Sequence, residues 1–209
     1  MCGRFYIDDD LKEDLDKMLA DLNEQVKVLK EFHSGEVYPS DYAAVITKHK
    51  EHAELIQWGY PGYGKQKVLF NARSETALQK RTFEQGFLKN RCLIPVSGFY
   101  EWDKSKCRFY FRQKEAEVMY LGAIWDTFAD GKRFTILTRE ADKVMEPIHS
   151  RMPVIIDEKN GELWLNSLSD AKHMVHERQP EIYGEAKPVR KKEETGEYEQ
   201  IHIFNTFNL

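Results

Sequence analysis

Short apolar runs, separated by Gly, Asp, Asn or Lys turns, dominate the chain from residue 43 to residue 156. Their residues are mostly β-branched or aromatic, which favours strands over helices. The runs predict strands at 43–47, 54–59, 92–102, 108–112, 118–125, 133–138 and 153–156. Strands and helices do not alternate regularly, so we expect an α+β domain with a mainly antiparallel sheet rather than a βαβ array.

Helical spacing of apolar residues marks the segment behind the N-terminus. Residues 8–22 place four leucines and a methionine on one helical face, and aspartates lead the segment, as is typical of a first helical turn. Two further helices are predicted at 158–166 and 169–178, the second with Ser169 as its N-cap. Near the C-terminus, 191–199 is predicted as a polar loop or hairpin and 200–204 as a final strand.

Composition fits one globular unit with a substantial core. The chain has 209 residues, of which 41% are hydrophobic and 12% aromatic, and no linker or repeat interrupts it. We therefore expect a single domain over 1–209. The formal net charge of −4 argues against a surface that is basic all round. Because many acids fall in three blocks, at 8–16, 157–162 and 193–199, other regions are left locally positive.

Several function classes find no support in the sequence. No secretory leader and no apolar stretch of membrane-spanning length is present, so no membrane partner is expected. Three cysteines without a leader fit a reducing cytoplasm better than a disulfide scaffold. No Cys/His cluster has zinc-ligand spacing and no glycine-rich phosphate loop occurs, so we expect neither a metal nor a small-molecule cofactor.

Four stretches carry residue types that are costly to bury without a purpose. The first is MCGRF, with Cys2 directly behind the initiator methionine, and the second is FNARSET, which alternates Asn71, Arg73 and Glu75. In an extended segment those three side chains point to one face. The third stretch, CLIPVSGFYEW, ends its apolar run at Glu101.

The fourth stretch, EPIHSRMPVII, places His149 and Arg151 just before a buried strand. Taken singly, each residue has an ordinary structural explanation: Glu101 as a solvated strand end, His149 as a hydrogen-bonded histidine and Arg73 as an ion-pair partner. Taken together, the thiol, carboxyl, imidazole, carboxamide and guanidinium groups make a complete reactive set.

The order of these motifs resembles a known family. MCGRF at the N-terminus, Trp58-Gly59 with Pro61, NARSET, RCLIPVSGFYEW and HSRMPVII follow one another as they do in the SOS-response-associated peptidase family, the SRAP domain. The resemblance implies a domain with a barrel-like antiparallel core and peripheral helices. It also implies the family's activity, the covalent capture of abasic sites in single-stranded DNA during the response to DNA damage.

The resemblance assigns the chemistry to an N-terminal cysteine. Once Met1 is removed, by ordinary processing or by self-cleavage, Cys2 presents an amine and a thiol together. The amine forms a Schiff base with the open-chain aldehyde of the abasic sugar, and the thiol closes a thiazolidine. Cys92 and Cys107 lack the adjacent amine. The adduct would shield the site from strand cleavage.

The remaining roles also follow from the resemblance. Asn71 would hold the N-terminal amine or a sugar hydroxyl, Glu101 would move protons and His149 would assist ring opening and release. The candidate phosphate contacts are Arg4, Arg73 and Arg151. The candidate side chains for stacking on bases are Trp58, Tyr100 and Trp102. For the aromatic residues a place in the core is the alternative. The expected partner is single-stranded DNA with abasic sites, bound by a cytoplasmic monomer that is nucleoid-associated in a bacterium.

Two other functions use the same residues. In a thiol peptidase, Cys2 would be the nucleophile and His149 its base, with a carboxylate orienting the imidazole. In a noncovalent single-stranded DNA binding module, the arginines would matter and Cys2 would not. Replacing Cys2 separates these alternatives, since only the binding module is indifferent to it.

Overall fold

The computed structural model describes residues 2–19, 32–48, 53–64, 67–114 and 116–187. Within this part of the chain the architecture is α+β and mostly antiparallel, as predicted. The predicted loop at 191–199 and strand at 200–204 lie outside the described residues.

The strands of the described residues are short at the N-terminus and longest in the middle of the chain. In chain order they are β1 Phe5–Ile7, β2 Gly35–Val37, β3 Tyr42–Thr47, β4 Glu54–Trp58, β5 Tyr60–Pro61, β6 Val68–Leu69, β7 Asn71–Arg73, β8 Arg91–Val96, β9 Gly98–Trp102, β10 Arg108–Gln113, β11 Met119–Phe128, β12 Gly131–Glu140, β13 Arg151–Pro153, β14 Ile155–Ile156 and β15 Ile182–Lys187.

The helices of the described residues lie outside the sheets and are also short. They are α1 Asp9–Leu19, α2 Ser74–Ala77, α3 Arg81–Lys89, α4 Gly161–Asn166 and α5 Leu168–Met174, and a 3-10 turn at Glu158–Asn160 precedes α4. The helix predicted over 8–22 is therefore confirmed as α1, and residues 20–22 lie outside the described part. The N-cap of α5 is Ser167 rather than the predicted Ser169, because the Ser167 side chain accepts the Asp170 N–H.

Five strands close into a barrel. β4, β3, β8 and β11 follow one another as antiparallel neighbours, and β12 completes the ring by pairing with β11 antiparallel and with β4 parallel. Closure leaves no free edge along these strands. β7 continues the parallel pairing along β12, in register from Asn71 opposite Ile136 to Arg73 opposite Thr138. This pairing brings NARSET to the barrel rim.

A second, five-stranded antiparallel sheet packs on the barrel, in the order β15-β10-β9-β1-β2. The single strand predicted over 92–102 is wrong, because the chain changes sheets at Ser97. β8 before it belongs to the barrel and β9 after it to the second sheet. The Ser97 N–H donates to the Tyr6 carbonyl at 2.8 Å, and its Oγ accepts the Asp8 N–H at 2.9 Å. Ser97 thereby fastens the junction to the N-terminal strand.

The core lies inside the barrel and between the two sheets. Trp58 is fully buried there, with its ring stacked on Phe134 and 5.0 Å from the centroid of Phe5. Burying a large aromatic side chain of this kind stabilises the fold by about 1.5–3 kcal/mol. Phe5 lies on β1, which also pairs with β2 on one side and β9 on the other, and these contacts fix the position of the residues that precede the strand.

The sequence patterns missed several elements of the described chain. α3 escaped prediction because polar residues interrupt its buried face of Phe83, Gly86 and Phe87. β2 falls in a stretch predicted as a loop, and β15 exposes most of its residues. No helix among the described residues combines the length and apolarity needed to cross a bilayer.

Candidate functional site

Cys2 lies at the junction of the barrel and the second sheet, two residues before Arg4, which begins the hydrogen bonding to β9. Its side chain is fully buried, and its backbone carbonyl accepts a hydrogen bond from the Asn71 side-chain amide at 2.7 Å. Asn71 begins β7, so its position is set by the pairing of that strand with β12. The other amide atom, Asn71 Oδ1, is buried and accepts no hydrogen bond from the described residues. The barrel thus holds Cys2 by its backbone.

Glu101 brings a carboxylate to the buried thiol. It lies on β9 opposite Phe109, on the face that packs against the barrel, and is only 4% exposed. Burial, and secondarily the charge of Glu101, raises the pKa of the Cys2 thiol to about 12. The thiol is therefore protonated at neutral pH and carries its own proton into any reaction.

His149 adds an imidazole to this group. Its Nε2 lies 3.7 Å from Oε1 of Glu101, and its Nδ1 lies 2.9 Å from the Arg151 backbone nitrogen. Because a backbone N–H can only donate, Nδ1 accepts, and the proton of a neutral imidazole is assigned to Nε2, facing Glu101. At 3.7 Å the two groups are too far apart for a direct hydrogen bond but close enough to exchange a proton after a small movement or through water.

Arg151 contacts His149 through its backbone N–H, while its side chain is engaged with other groups. Its guanidinium holds Glu75 through two bonds, at 2.6 and 2.9 Å, and donates to the Thr138 carbonyl at 2.6 Å. Although partial burial raises the pKa of Glu75, the bonds from Arg151 outweigh it and bring that pKa below its usual value. The predicted extended face is wrong for Glu75, because β7 ends at Arg73 and Glu75 lies in α2.

The other side chains predicted to contact DNA differ in how exposed they are. Arg73 is exposed and has no ion-pair partner among the residues that the structure describes, which fits a phosphate contact. Arg4 lies between the rings of Tyr38 and Trp102, at 4.3 and 4.7 Å, and pairs with Glu36 at 2.8 Å. Trp102 is half-buried and keeps part of its ring accessible.

Trp58 does not face DNA in this structure. Its side chain is fully buried, and its indole N–H donates to the Phe70 carbonyl at 2.9 Å. Stacking on a base needs an open ring face, so the predicted contact is wrong and Trp58 belongs to the core. Tyr100, at 8% exposure, is also largely covered. Within the described ranges no group of three or more His, Cys, Asp or Glu side chains is arranged to hold a metal ion.

Comparison with known proteins identifies the family. The family model described as SOS response associated peptidase (SRAP) matches residues 1–192. The chain belongs to the SRAP family. A relative from Bacillus subtilis, the abasic site processing protein YoqW, is 31% identical over 184 residues, covering 79% of this chain and 80% of its own. The abasic site processing protein YedK of Escherichia coli is 28% identical over 176 residues, covering 79% of each chain.

Solved structures confirm the fold. A protein from Bacteroides thetaiotaomicron superposes with a TM-score of 0.71 at 20% identity, covering 88% of this chain and 91% of its own. The fold is therefore shared with that solved protein over most of the chain. It brings Cys2, Asn71, Glu101 and His149 together from four separate sequence motifs.

Two features of this SRAP chain were missed by sequence reasoning. Glu36 bonds both Arg4 and Arg108, at 2.8 and 2.7 Å, but it lies in a stretch without periodicity. Arg91 is buried and donates to carbonyls at the ends of α3 and α4. The only available signal was that an arginine directly precedes a continuous apolar run.

Proposed function

We propose that this protein captures abasic sites in single-stranded DNA by a thiazolidine cross-link to Cys2, formed after Met1 is removed. The observation that carries the proposal is the hydrogen bond from Asn71 to the Cys2 carbonyl, which holds the N-terminal residue beside Glu101 and His149. The names of the YoqW and YedK relatives, which both specify abasic site processing, support the same substrate.

The chemistry follows from the state of the groups. The free α-amine has a reference pKa of about 7.7–8.0, so a usable fraction of it is neutral at physiological pH, whereas the buried thiol is not ionised. The amine therefore attacks first: its nitrogen bonds to the aldehyde carbon, and the carbonyl oxygen leaves as water. The S–H then adds across the C=N bond, with sulfur bonding to carbon and the proton passing to nitrogen. One water is lost in total.

Glu101 and His149 supply the proton transfers that these steps need. The first step must protonate the departing oxygen, and the second must move the thiol proton to nitrogen. A carboxylate within 3.7 Å of an imidazole can accept one proton while the imidazole donates another. The buried Asn71 Oδ1 would take the hydrogen bond of the free N-terminal amine or of a sugar hydroxyl.

Removal of Met1 is part of the proposal, because as an amide the Cys2 nitrogen cannot attack a carbonyl. Self-cleavage would hydrolyse the Met1–Cys2 peptide bond, with Glu101 taking a proton from the attacking water. The free thiol and the DNA substrate both fit a reducing cytoplasm, and we propose that the protein acts there as a monomer. Arg73 and Trp102 would contact the bound strand.

The test is a denaturing gel of the protein mixed with single-stranded DNA carrying one abasic site. We expect a heat-stable shifted band for the wild type and for Cys107→Ala, which changes an exposed cysteine without a neighbouring amine. Cys2→Ala should abolish the band while noncovalent DNA binding survives. Absence of the band in wild-type protein whose intact mass confirms the loss of Met1 would contradict the proposal.

The same experiment separates the alternatives. If the protein is a noncovalent binding module, neither the wild type nor Cys2→Ala gives a covalent band. A peptidase acting on other proteins cleaves a peptide substrate in a Cys2-dependent way without forming a DNA adduct.

A further inference from the structure

Glu75, in α2, holds the guanidinium of Arg151 with both of its carboxylate oxygens. Oε1 accepts from Nη1 at 2.6 Å and Oε2 accepts from Nη2 at 2.9 Å, a fork geometry that fixes the direction of the guanidinium as well as its distance. Within the described ranges of the chain, Arg151 forms no other ion pair. Its side chain is only 11% exposed, whereas that of Glu75 is 36% exposed, so a buried cation depends on a carboxylate at the surface.

Arg151 connects this ion pair to the imidazole of the candidate site. Its backbone N–H donates to His149 Nδ1 at 2.9 Å, and the other ring nitrogen, Nε2, lies 3.7 Å from the Glu101 carboxylate. An N–H that donates to Nδ1 leaves Nε2 as the protonated nitrogen of a neutral imidazole. The position of the Arg151 backbone therefore sets both the direction of the ring and the nitrogen that carries its proton.

Strand pairing alone gives Arg151 little support, because the strand begins at this residue. Arg151 is the first of the three residues of β13 and lies opposite Glu140, the last residue of β12. Residues 141–150, which precede it and include His149, contain neither strand nor helix. Strand ends open more readily than strand centres, so a side-chain contact at the end has a larger effect on position.

The Arg151 side chain supplies such a contact with the barrel. Nη2 donates to the Thr138 carbonyl at 2.6 Å and lies 3.3 Å from Thr138 Oγ1. These acceptors are neutral, and Nε is buried without an acceptor in the part of the chain that the structure describes. Without Glu75 the guanidinium would be a nearly buried charge with no counter-charge, a costly state that favours movement toward water.

The charge of Glu75 is present under ordinary conditions. Although partial burial raises the pKa of Glu75, the bonds from Arg151 outweigh that effect and bring the pKa below its usual value, so the carboxylate is ionised at neutral pH. A partly exposed ion pair contributes little to overall stability. Loss of Glu75 should therefore alter local geometry more than the folding of the whole domain.

We propose that Glu75 is a positioning residue for the cross-linking reaction, because its hold on the Arg151 guanidinium keeps the His149 imidazole directed at Glu101. The role of His149 that Glu75 would support rests on the proposed function. Glu75 itself takes no proton in the reaction, and its effect passes through Arg151.

Single-turnover cross-linking, measured over a range of concentrations of an abasic single strand, tests this role. Glu75→Ala should lower the maximal rate at least about tenfold, because a misdirected imidazole transfers protons poorly. The half-saturating concentration of DNA should not rise, since no contact with the strand is removed. Glu75→Gln keeps the shape of the side chain and one acceptor, so it should lose less. A raised half-saturating concentration with an unchanged maximal rate would overturn the inference in favour of a role in DNA binding.

The matched control is Asp130→Ala. Asp130 holds Arg133 through two bonds of the same kind, at 3.1 and 2.5 Å, at the opposite end of β12 from Thr138. Its maximal rate should equal that of the wild type, and equal rates for Asp130→Ala and Glu75→Ala would overturn the inference. If Glu75→Ala is unstable by thermal unfolding, Glu75→Gln decides, and an unchanged maximal rate in that variant overturns the inference.

A double-mutant cycle separates positioning from a general structural role. If Glu75 acts through His149, Glu75→Ala should slow the His149→Ala protein much less than it slows the wild type. Equal slowing in both backgrounds would overturn the inference. If His149→Ala cross-links too slowly to measure, nitrogen-15 spectra of the imidazole decide instead.

These spectra need no DNA. In histidine-labelled wild type, at a pH that keeps imidazole neutral, His149 Nδ1 should appear as an unprotonated acceptor and Nε2 as protonated. His149→Gln identifies the two signals by their loss. Glu75→Ala should average the two nitrogens, whereas Asp130→Ala should keep the wild-type pattern. A wild-type pattern in Glu75→Ala would overturn the inference.

The two kinds of measurement distinguish failure of the positioning role from failure of the function on which it rests. Cross-linking by the wild type, with an unchanged maximal rate in Glu75→Ala and Glu75→Gln, overturns the role of Glu75 alone. No cross-linking by the wild type overturns the proposed function, and the spectra still show whether Glu75 sets the orientation of His149.

Discussion

At the scale of residues, the site depends on how Cys2 is held rather than on an activated thiol. Burial and the nearby Glu101 charge keep its sulfur protonated, with a pKa of about 12 against 9.0 for an ordinary cysteine. That state suits a thiol that acts second, after an imine has formed, and it argues against a thiolate nucleophile of the protease kind at neutral pH.

Alkylation of the Met1-retaining protein checks this state. At pH 8, iodoacetamide should label the exposed Cys107 and leave Cys2 and Cys92, both buried, unmodified until the protein is denatured. Because burial raises the pKa of Cys2, the stability linked to its proton is fully present below pH 9.0 and lost as the pH rises toward about 12. Peptide mass spectrometry that finds Cys2 labelled as fast as Cys107 at pH 8 would contradict the assignment.

The sequence singled out residues that the structure brings together, but it did not predict their contacts. Cys2, Asn71, Glu101 and His149 could be selected because reactive groups in otherwise apolar or small-residue stretches are unusual, and the family resemblance gave them roles. The ion pair of Arg151 with Glu75 could not be predicted, since it depends on β7 ending at Arg73. The burial of Trp58 could not be predicted either, because it depends on closure of the barrel, which no local sequence pattern indicates.

At the scale of elements, Arg91 joins two helices to the barrel. Its guanidinium donates to the carbonyls of Phe87 and Leu88 at the end of α3, and to those of Trp164 and Leu165 at the end of α4. Terminal carbonyls of helices lack partners within the helix, so one buried cation satisfies both ends.

Replacing this arginine should therefore be costly. Arg91→Met should lower the free energy of unfolding by about 2–4 kcal/mol, because bonds to a charged group are lost and buried carbonyls are left without donors. The control Arg81→Met, at the exposed start of α3, should stay within about 0.5 kcal/mol of the wild type. Urea unfolding measures both, and equal effects would show that Arg91 does not join the helices.

Strands could be predicted where apolar residues are dense along the chain. They could not be predicted where strand pairing decides to which sheet a segment belongs. The barrel strands could be recognised from their β-branched and aromatic runs. The division of 92–102 between two sheets could not, because Ser97 and Gly98 look like an ordinary interruption until Tyr6 and Tyr110 are placed beside them.

At the scale of the whole molecule, both sheets contribute residues to the candidate site. The barrel supplies Asn71, the second sheet supplies Glu101 and the N-terminal segment leads Cys2 between them.

The central claim, a thiazolidine at the N-terminal cysteine, is tested most directly by mapping the adduct. After cross-linking to an abasic strand, nuclease and protease digestion should yield a peptide that begins at Cys2, carries the sugar remnant with the loss of one water, and resists alkylation at its thiol. A remnant on a lysine, or on a Cys2 whose thiol still reacts with iodoacetamide, would contradict the account.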